Sequence, residues 1–349
     1  MTPSQSAAGR PTMRQVAELA GVSVQTVSNH VNGRHQYMAD DTRRRVAAAM
    51  RELGYHPNVT ARGLRSSETR TLGFLVLDQH ARFLADPLTD LVIAGVGDVA
   101  REQEYGILIQ SASPSEEPDR LLAPLLQSRV DGAFLLLSGE PEVRESIIAR
   151  VAETTAEFVV FDEPVADPGV MSVRAADREG GRALTRHLLE RGHERIAFIG
   201  AAVPWAVVEQ RSLGFHEALG DAGVEADPEL IRLETGWEPA SAVPIAERLL
   251  NADPRPDAIM CSTDLLALAT MHTARGLGLE VPGDVAVCGF DDFPFSQFTH
   301  PALTTVRIPA YEMGREAARI LIEHLGGDRA ETPAEQIEFP VELMVRAST

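Results

Sequence analysis

The amino-acid sequence predicts an α/β protein preceded by a small, all-helical head. Three observations lead there. Residues 12–55 hold three short runs whose apolar positions keep helical spacing. From Leu72 onward, near-continuous apolar strands alternate with helical stretches, the pattern of parallel sheets covered on both faces. Between the two lies a polar, arginine-bearing segment, NVTARGLRSSETRT, with no core of its own. A chain of 349 residues exceeds one typical core, so two or three domains are expected.

In the head, Thr12 is placed to cap a first helix, Met13–Ala20, in which Val16, Leu19 and Ala20 share one face. Gly21 ends it. Ser23 caps a second helix over Val24–Val31, closed by Asn32-Gly33. Asp40 or Asp41 opens a third, where Val46, Ala49, Met50 and Leu53 fall at i, i+3, i+4 and i+7 and form one buried stripe. Gly54 and then Pro57 mark its end.

In the body, the strand candidates are LGFLVL, YGILIQ, DGAFLLL, FVVFD, RIAFIG, DAIMC and DVAVCGF. Helical stretches such as Asp177–Arg191, Glu209–Ala222 and Ala240–Asn251 lie between them. Seven or so strands over roughly 280 residues suit two stacked α/β subdomains with a cleft between them.

The net charge of −19 argues at first sight against nucleic acid as a partner, but the charge is uneven. Through Arg65 there are nine arginines and four acids; the remainder holds 23 basic and 47 acidic residues. A basic head therefore precedes an acidic body. All 32 basic residues are arginine, a usage read as coding bias. Cys261 and Cys288 sit in apolar runs and read as buried thiols. The N-terminal MTPSQSAAGRPT lacks the apolar core of a signal peptide, and no apolar run approaches a membrane span, so a cytoplasmic location with no membrane partner is expected.

The most specific motif is VAELAGVSVQTVSNHVN, Val16 to Asn32: two short helices joined by Ala20-Gly21-Val22-Ser23. A helix-turn-helix has this form, and it places its second helix in the major groove of DNA. Small hydroxyl residues at that helix start (Ser23, Thr26, Ser28) suit close approach to phosphates, and Gln25 suits a bidentate pair with adenine. An ordinary αα-hairpin can carry the same turn, so the turn alone leaves both open.

AELAGVSVQTVS, followed by Asn-Gly and then TRRRVAAAMRELGYHPN, resembles the DNA-binding head of the lactose-repressor family, and the resemblance extends nearly end to end. It implies a three-helix head on a periplasmic-binding-protein-like core with parallel sheets. The expected division is 12–57 for the head, 58–70 for a hinge and 71–349 for an effector-binding and dimerisation core. Within the core, subdomain one spans about 71–170 and 308–330, and subdomain two about 171–307 and 331–349. The resemblance gives Val24, Gln25 and Asn29 to base reading, and Thr12, Ser23, Thr26, Asn32 and Tyr55 to phosphate contact.

Two departures stand out. Most members carry Arg where this chain has Asn29, so the usual arginine–guanine contact cannot form. The stretch GRHQYMADDT has Met38-Ala39 where the family usually has Val-Ser, which leaves Asp40 as the expected substitute cap. The linker PNVTARGLR resembles the family's hinge helix, which folds on DNA and wedges a leucine into the minor groove; Leu64 holds that position. So short a helix is marginal in water, and Gly63 weakens it further. A flexible tether is the alternative.

In the body, DVAVCGFDDFPFSQFTHPALTTVR places Asp291 at the carboxyl edge of a strand, where α/β sheets bind ligands. Asp291 and Asp292 as a catalytic pair are disfavoured: neighbours in such a turn point apart, and no nucleophile motif accompanies them. The resemblance implies that Asp291 accepts hydrogen bonds from effector hydroxyls. It gives Arg211 (EQRSLGF) to gripping hydroxyls or a carboxylate, Trp237 (ETGWEP) to stacking, and Asp162 (FVVFD) to the pocket edge. Thr263 (CSTDLLALA) stands where relatives often have Asn. His187 and His193 lack matched metal partners, and Gly95-Val96-Gly97 and Gly180-Gly181-Arg182 lack the setting of a phosphate loop, so no catalytic residue, metal or cofactor is expected.

The resulting expectation is a dimeric transcriptional repressor that binds pseudo-palindromic double-stranded operator DNA under the control of a small molecule, a sugar before a nucleoside or phosphosugar. A periplasmic-type solute-binding protein is the alternative from another class.

Overall fold

The computed structural model describes residues 11–31, 34, 38–55, 68–78, 83–113, 118–203, 205–236, 238–327 and 333–349. The chain separates into two compact units, dividing at Thr69 and Arg70. The expected roles of Asn32, Leu64 and Trp237, and of the hinge through residue 67, lie outside the described residues.

Among the described residues the head holds three helices: α1 (Met13–Ala20), α2 (Val24–Val31) and α3 (Asp40–Leu53). Thr12 caps α1 by a reciprocal pair, its Oγ1 accepting from the Gln15 amide at 3.4 Å while Gln15 Oε1 accepts from the Thr12 amide at 2.8 Å. Gly21 ends α1 at φ 61°, and a Cβ there would meet Arg45 Nη2 at 2.8 Å. Arg45 Nη2 donates to the carbonyls of Ala20 (2.5 Å) and Gly21 (3.1 Å), so one arginine of α3 fixes the turn. Val16, Ala17, Ala20, Val27, Val46, Ala49 and Tyr55 form the core, with Met50 and Leu53 packed against it.

One expectation fails here. Asp40 does not cap α3; the cap is Ala39, whose methyl group accepts no hydrogen bond. Asp40 and Asp41 lie inside the first turn, where negative charge favours the positive end of the helix dipole.

The body contains a six-stranded sheet, a four-stranded sheet and a short antiparallel pair. The first sheet is built from β1 (Thr71–Leu77), β2 (Gly106–Ala112), β3 (Gly132–Leu137), β4 (Glu157–Phe161), β5 (Met171–Ala175) and β11 (Gln336–Phe339), in the order β11-β5-β4-β3-β1-β2 and parallel throughout. Helices α4 (Pro87–Glu102), α5 (Pro118–Leu126), α6 (Pro141–Ala152) and α11 (Ala310–Gly326) cover it. The second sheet, β7-β6-β8-β9, is also parallel: β6 (Ile196–Ala201), β7 (Ile231–Thr235), β8 (Ala258–Cys261) and β9 (Ala286–Cys288). Its helices are α7 (Asp177–Glu190), α8 (Ala206–Asp221), α9 (Pro239–Leu250) and α10 (Asp264–Gly276). Finally, β10 (Thr305–Arg307) pairs with β12 (Glu342–Met344).

The subdomain boundaries drawn at 170 and 330 each misplace a strand. Both β5 and β11 close the first sheet, so the chain leaves it after Ala175 and again after Phe339. The reason is local. β11 is an edge strand whose residues alternate between exposed and half-buried, giving no apolar run to read.

Burial accounts for the clean strands: every residue of β3 and β6 is buried, and Phe74, Phe134 and Phe161 stack within about 6 Å of one another across the first sheet. Cys261 and Cys288 are buried and unpaired with each other, and burial pushes the Cys261 thiol up to about 12. α7 and α8 touch through glycines: a Cβ on Gly214 would lie 2.0 Å from the Arg178 carbonyl oxygen, and one on Gly181 would lie 2.3 Å from that of Arg211. That contact brings the backbone carrying Arg211 against α7 and the Asp177 at its start. No helix among the described residues is long and apolar enough to cross a membrane.

Candidate functional site

In the head, α2 presents Ser23, Val24 and Gln25 on an exposed surface, with Thr26 and Asn29 partly exposed beside them. Ser23 Oγ accepts from the Thr26 amide at 3.1 Å and lies 2.8 Å from Thr26 Oγ1. Gln25 Nε2 donates to Asn29 Oδ1 at 3.1 Å, one helical turn away. The two amides expected to read bases therefore bond to one another. Thr12 is exposed at the start of α1. Two expectations are weakened. Ser28 and Tyr55 are each 8 % exposed, so either would meet phosphate through only a small patch of surface.

In the body, a cavity of about 380 Å³ is lined by residues of both subdomains. Its polar lining comes from the carboxyl ends of parallel strands, where an open α/β sheet leaves backbone groups and loops free to meet a ligand. Asp162 follows β4, Thr263 follows β8 and Asp291 follows β9, while Arg211 enters from α8. Four of the five expected effector residues thus meet in one cavity. Asp162 and Asp291 have φ of 61° and 111°, a region that ordinary side chains rarely adopt. Strained backbone at both acids holds their carboxyls over the cavity.

Arg211 organises the floor. Its side chain is 1 % exposed, its Nε donates to Asp177 Oδ1 at 2.7 Å, and its Nη1 donates to the Ser262 carbonyl at 2.6 Å. The guanidinium stacks 3.9 Å from the centre of the Phe290 ring. Nη2 lies 3.0 Å from Asp291 Oδ1, yet neither atom makes a well-directed hydrogen bond with the described residues. Burial works against the charge of Arg211, but Asp291 and Asp177 outweigh it and raise its pKa further. Arg211 remains a cation.

The acids respond to the same burial. Asp162 is pushed up to about 8, first by desolvation and then by the neighbouring Asp177, with Arg211 opposing. Asp291 is raised well above the usual carboxylate range by burial, against the pull of Arg211. Asp86, at the start of α4, is raised by burial although it accepts from Thr89 Oγ1 at 3.0 Å and from the Leu88 and Thr89 amides. Thr263 caps α10, accepting from the Leu266 amide at 3.3 Å, which leaves its hydroxyl proton to donate. Asp292 turns the other way, bound by Arg307 Nε at 2.9 Å and Arg346 Nη2 at 2.5 Å, so it is a structural acid and not a partner of Asp291.

Sequence reasoning missed Asp78, Asp86, Trp205 and Glu238, all of which line the cavity. A signal existed for three of them. Asp78 follows β1, Trp205 follows β6 and Glu238 follows β7, all at carboxyl ends of strands in their parallel sheets. Among the described residues no group of three or more His, Cys, Asp or Glu is placed to hold a metal ion.

A helix-turn-helix head followed by a two-subdomain body, with a largely apolar cavity between the subdomains that carries several acids and one arginine, defines a ligand-responsive DNA-binding regulator. Residues 12–58 match the family of bacterial regulatory proteins, lacI family, and residues 185–349 match the periplasmic binding protein-like domain. The chain belongs to the lacI family. The transcriptional regulator CelR of Thermobifida fusca is 34% identical over 341 residues, covering 97% of this chain and 98% of that protein. The transcriptional repressor PurR of Aliivibrio salmonicida is 31% identical, covering 90% and 92%. Among solved structures, the CelR–cellobiose complex superposes with a TM-score of 0.71 at 32% identity, covering 97% of this chain and 100% of that one. The Lac repressor dimer bound to operator and the anti-inducer ONPF gives 0.83 at 26%, covering 97% and 98%.

Proposed function

We propose that this regulator is a homodimeric repressor whose operator affinity is set by a neutral sugar bound in the cavity between its subdomains. The observation that carries the ligand is the pair Arg211 Nη2 and Asp291 Oδ1. They are a buried donor and a buried acceptor at the cavity wall, each without a well-directed hydrogen bond among the described residues. Buried polar groups left this way cost free energy unless something completes them. A vicinal diol, donating to the carboxylate and accepting from the guanidinium, completes both. The relatives support the reading, since CelR was solved with cellobiose and the Lac repressor as a dimer on operator.

Charge narrows the class. Among the described residues, Asp78, Asp86, Asp162, Glu238 and Asp291 line the cavity beside one arginine, which already pairs with Asp177 and Asp291, while Asp162, pushed up to about 8, is largely protonated at neutral pH. A phosphosugar would bring further negative charge to this wall, where the described lining offers no second cation to meet it. A nucleoside is a second reading, favoured by Phe161, Trp205 and Phe293 in the lining and by the PurR relatives.

On the DNA side, Val24, Gln25 and Asn29 read bases, while Thr12, Ser23, Thr26, Asn32 and Tyr55 contact phosphate and Leu64 enters the minor groove. The exposed row Ser23, Val24 and Gln25 supports this division. A two-fold pair of heads suits a pseudo-palindromic operator. A thermal-shift screen of neutral sugars, nucleosides and phosphosugars tests the ligand class. A ligand at 100 times its Kd adds about 2.7 kcal/mol to stability. Stabilisation by phosphosugars alone overturns the assignment.

A further inference from the structure

Outside the cavity, the described part of the body buries one other arginine almost completely. Arg144 of α6 has a side chain only 2 % exposed. Its Nε donates to Glu163 Oε2 at 2.8 Å and its Nη1 to the Gly139 carbonyl at 2.5 Å, both within the first subdomain. The outer edge of the same guanidinium forms a two-pronged fork with Glu209 of α8, Nη1 to Oε1 at 3.2 Å and Nη2 to Oε2 at 2.9 Å. Glu209 belongs to the second subdomain, where α8 packs against α7 and β6. The fork therefore crosses the cleft.

Its neighbours matter. Glu163 directly follows Asp162, and Glu209 lies between Val207 and Arg211, both in the cavity wall. One guanidinium thus holds a residue beside the acid of one wall and a residue on the helix that supplies the cation of the other. We propose that Arg144 and Glu209 form a cross-cleft latch that holds the two subdomains in the arrangement seen here, and that Arg144 thereby positions Asp162 against Arg211. The proposal goes beyond ligand class and operator binding, and it holds whichever ligand the cavity takes.

The physical case is a switch with two discrete states. A planar fork on a carboxylate is directional, and hydrogen bonds fail beyond about 3.5 Å, so a few ångströms of subdomain rotation break both prongs together. Arg144 would then keep Glu163 and the Gly139 carbonyl but lose the second carboxylate that balances its charge. Glu209 has an easier alternative: at 36 % side-chain exposure, it can turn to water. The latch is thus costly to release from the arginine side and cheap from the glutamate side. Contacts of this kind let a ligand bias an equilibrium between two packed arrangements.

The test uses the full chain without ligand or DNA, so its result is independent of the effector assignment. Trp205 lines the cleft, and Trp237→Phe leaves it as the single emitting tryptophan. In that background, acrylamide quenching of Trp205 is compared for the parent, Glu209→Ala, Arg144→Met and Glu217→Ala. Glu209→Ala removes only the cross-cleft prongs and leaves the Arg144–Glu163 pair in place. Glu217→Ala is the control, because it removes an equivalent pair with Arg178 that joins α8 to α7 within one subdomain. The latch predicts a rise of about twofold or more in the quenching constant for Glu209→Ala, and none for Glu217→Ala. Arg144→Met should match Glu209→Ala where it folds. Quenching of Glu209→Ala equal to that of the parent overturns the proposal, as does an equal rise in Glu217→Ala.

Discussion

Arg211 Nη2 and Asp291 Oδ1 lie 3.0 Å apart on the cavity wall, yet the two atoms meet at an angle that makes no hydrogen bond. The charges attract, while neither of these two atoms makes a directed hydrogen bond among the described residues. Meanwhile Asp177 and the Ser262 carbonyl fix the rest of the guanidinium, so it cannot turn to use its own neighbour better. A ligand group that reached both atoms from the cavity side would complete them.

Asp291→Asn is the mildest way to disturb it. The side chain keeps its size, gives up the carboxylate, and offers one acceptor oxygen where there were two, the other position becoming a donor. Sugar affinity should fall by about tenfold or more, corresponding to the ~1.5–3 kcal/mol of a hydrogen bond to a charged group. Isothermal titration against the best sugar of the screen measures it, and operator affinity without sugar should stay within twofold or so.

Arg211→Ala should be harsher. It leaves Asp177 and Asp291 buried without their counter-charge, and breaking a buried pair costs about 3–5 kcal/mol. Urea unfolding should show that loss together with loss of the sugar response. An Arg211→Ala protein of unchanged stability would mean that the guanidinium does not cross-link the cavity floor.

Stability should depend on pH through Asp162. Its carboxyl titrates near 8 in the fold against a usual value of 3.8, so between those values the folded state binds more protons than the unfolded chain. Stability from this group is therefore present in full below pH 4 and is lost as pH rises toward 8. Asp162→Asn should flatten the decline of Tm between pH 6 and pH 9, and an unchanged slope would place the titrating group elsewhere.

The head was legible in the sequence to the residue. Met13–Ala20 and Val24–Val31 are the helices observed, because capping and glycine termination act through neighbours in the chain. The exception has the same logic: with Ala39 at the cap position there was no side chain to do the work, and the nearest acid was given it. Apolar strands such as GAFLLL were equally plain. β11 was not, since QIEF is an edge strand recruited by β5 from 161 residues away and alternates in exposure. Asp162, Arg211, Thr263 and Asp291, named by resemblance as effector residues, line one cavity. Asp86 was missed because its place depends on how α4 packs over the first sheet, which no local pattern encodes. The Arg144 fork joins residues 65 apart and left no mark on local sequence.

Operator choice should follow Gln25 and Asn29. Gln25→Ala should cost ~1–3 kcal/mol and relax preference at one base pair in each half-site. It also frees the Asn29 amide from its partner. Asn29→Arg should shift preference toward guanine, read by selection from a randomised operator library. A base profile unmoved by both would mean that another face of the head meets the groove. Affinity should also fall steeply with salt despite the net charge of −19, each released counterion contributing about −0.9 to the log–log slope.

The central claim is that a neutral sugar in the cavity controls operator binding. Fluorescence anisotropy of labelled operator, titrated with the full chain and with its Asp291→Asn form, tests it directly when repeated at saturating levels of neutral mono- and disaccharides, cellobiose among them. The account predicts that at least one sugar shifts operator affinity by roughly 5–150-fold for the parent chain, and that Asp291→Asn abolishes that shift at the same concentration. Operator affinity indifferent to every neutral sugar, or a shift that Asp291→Asn leaves intact, would contradict it.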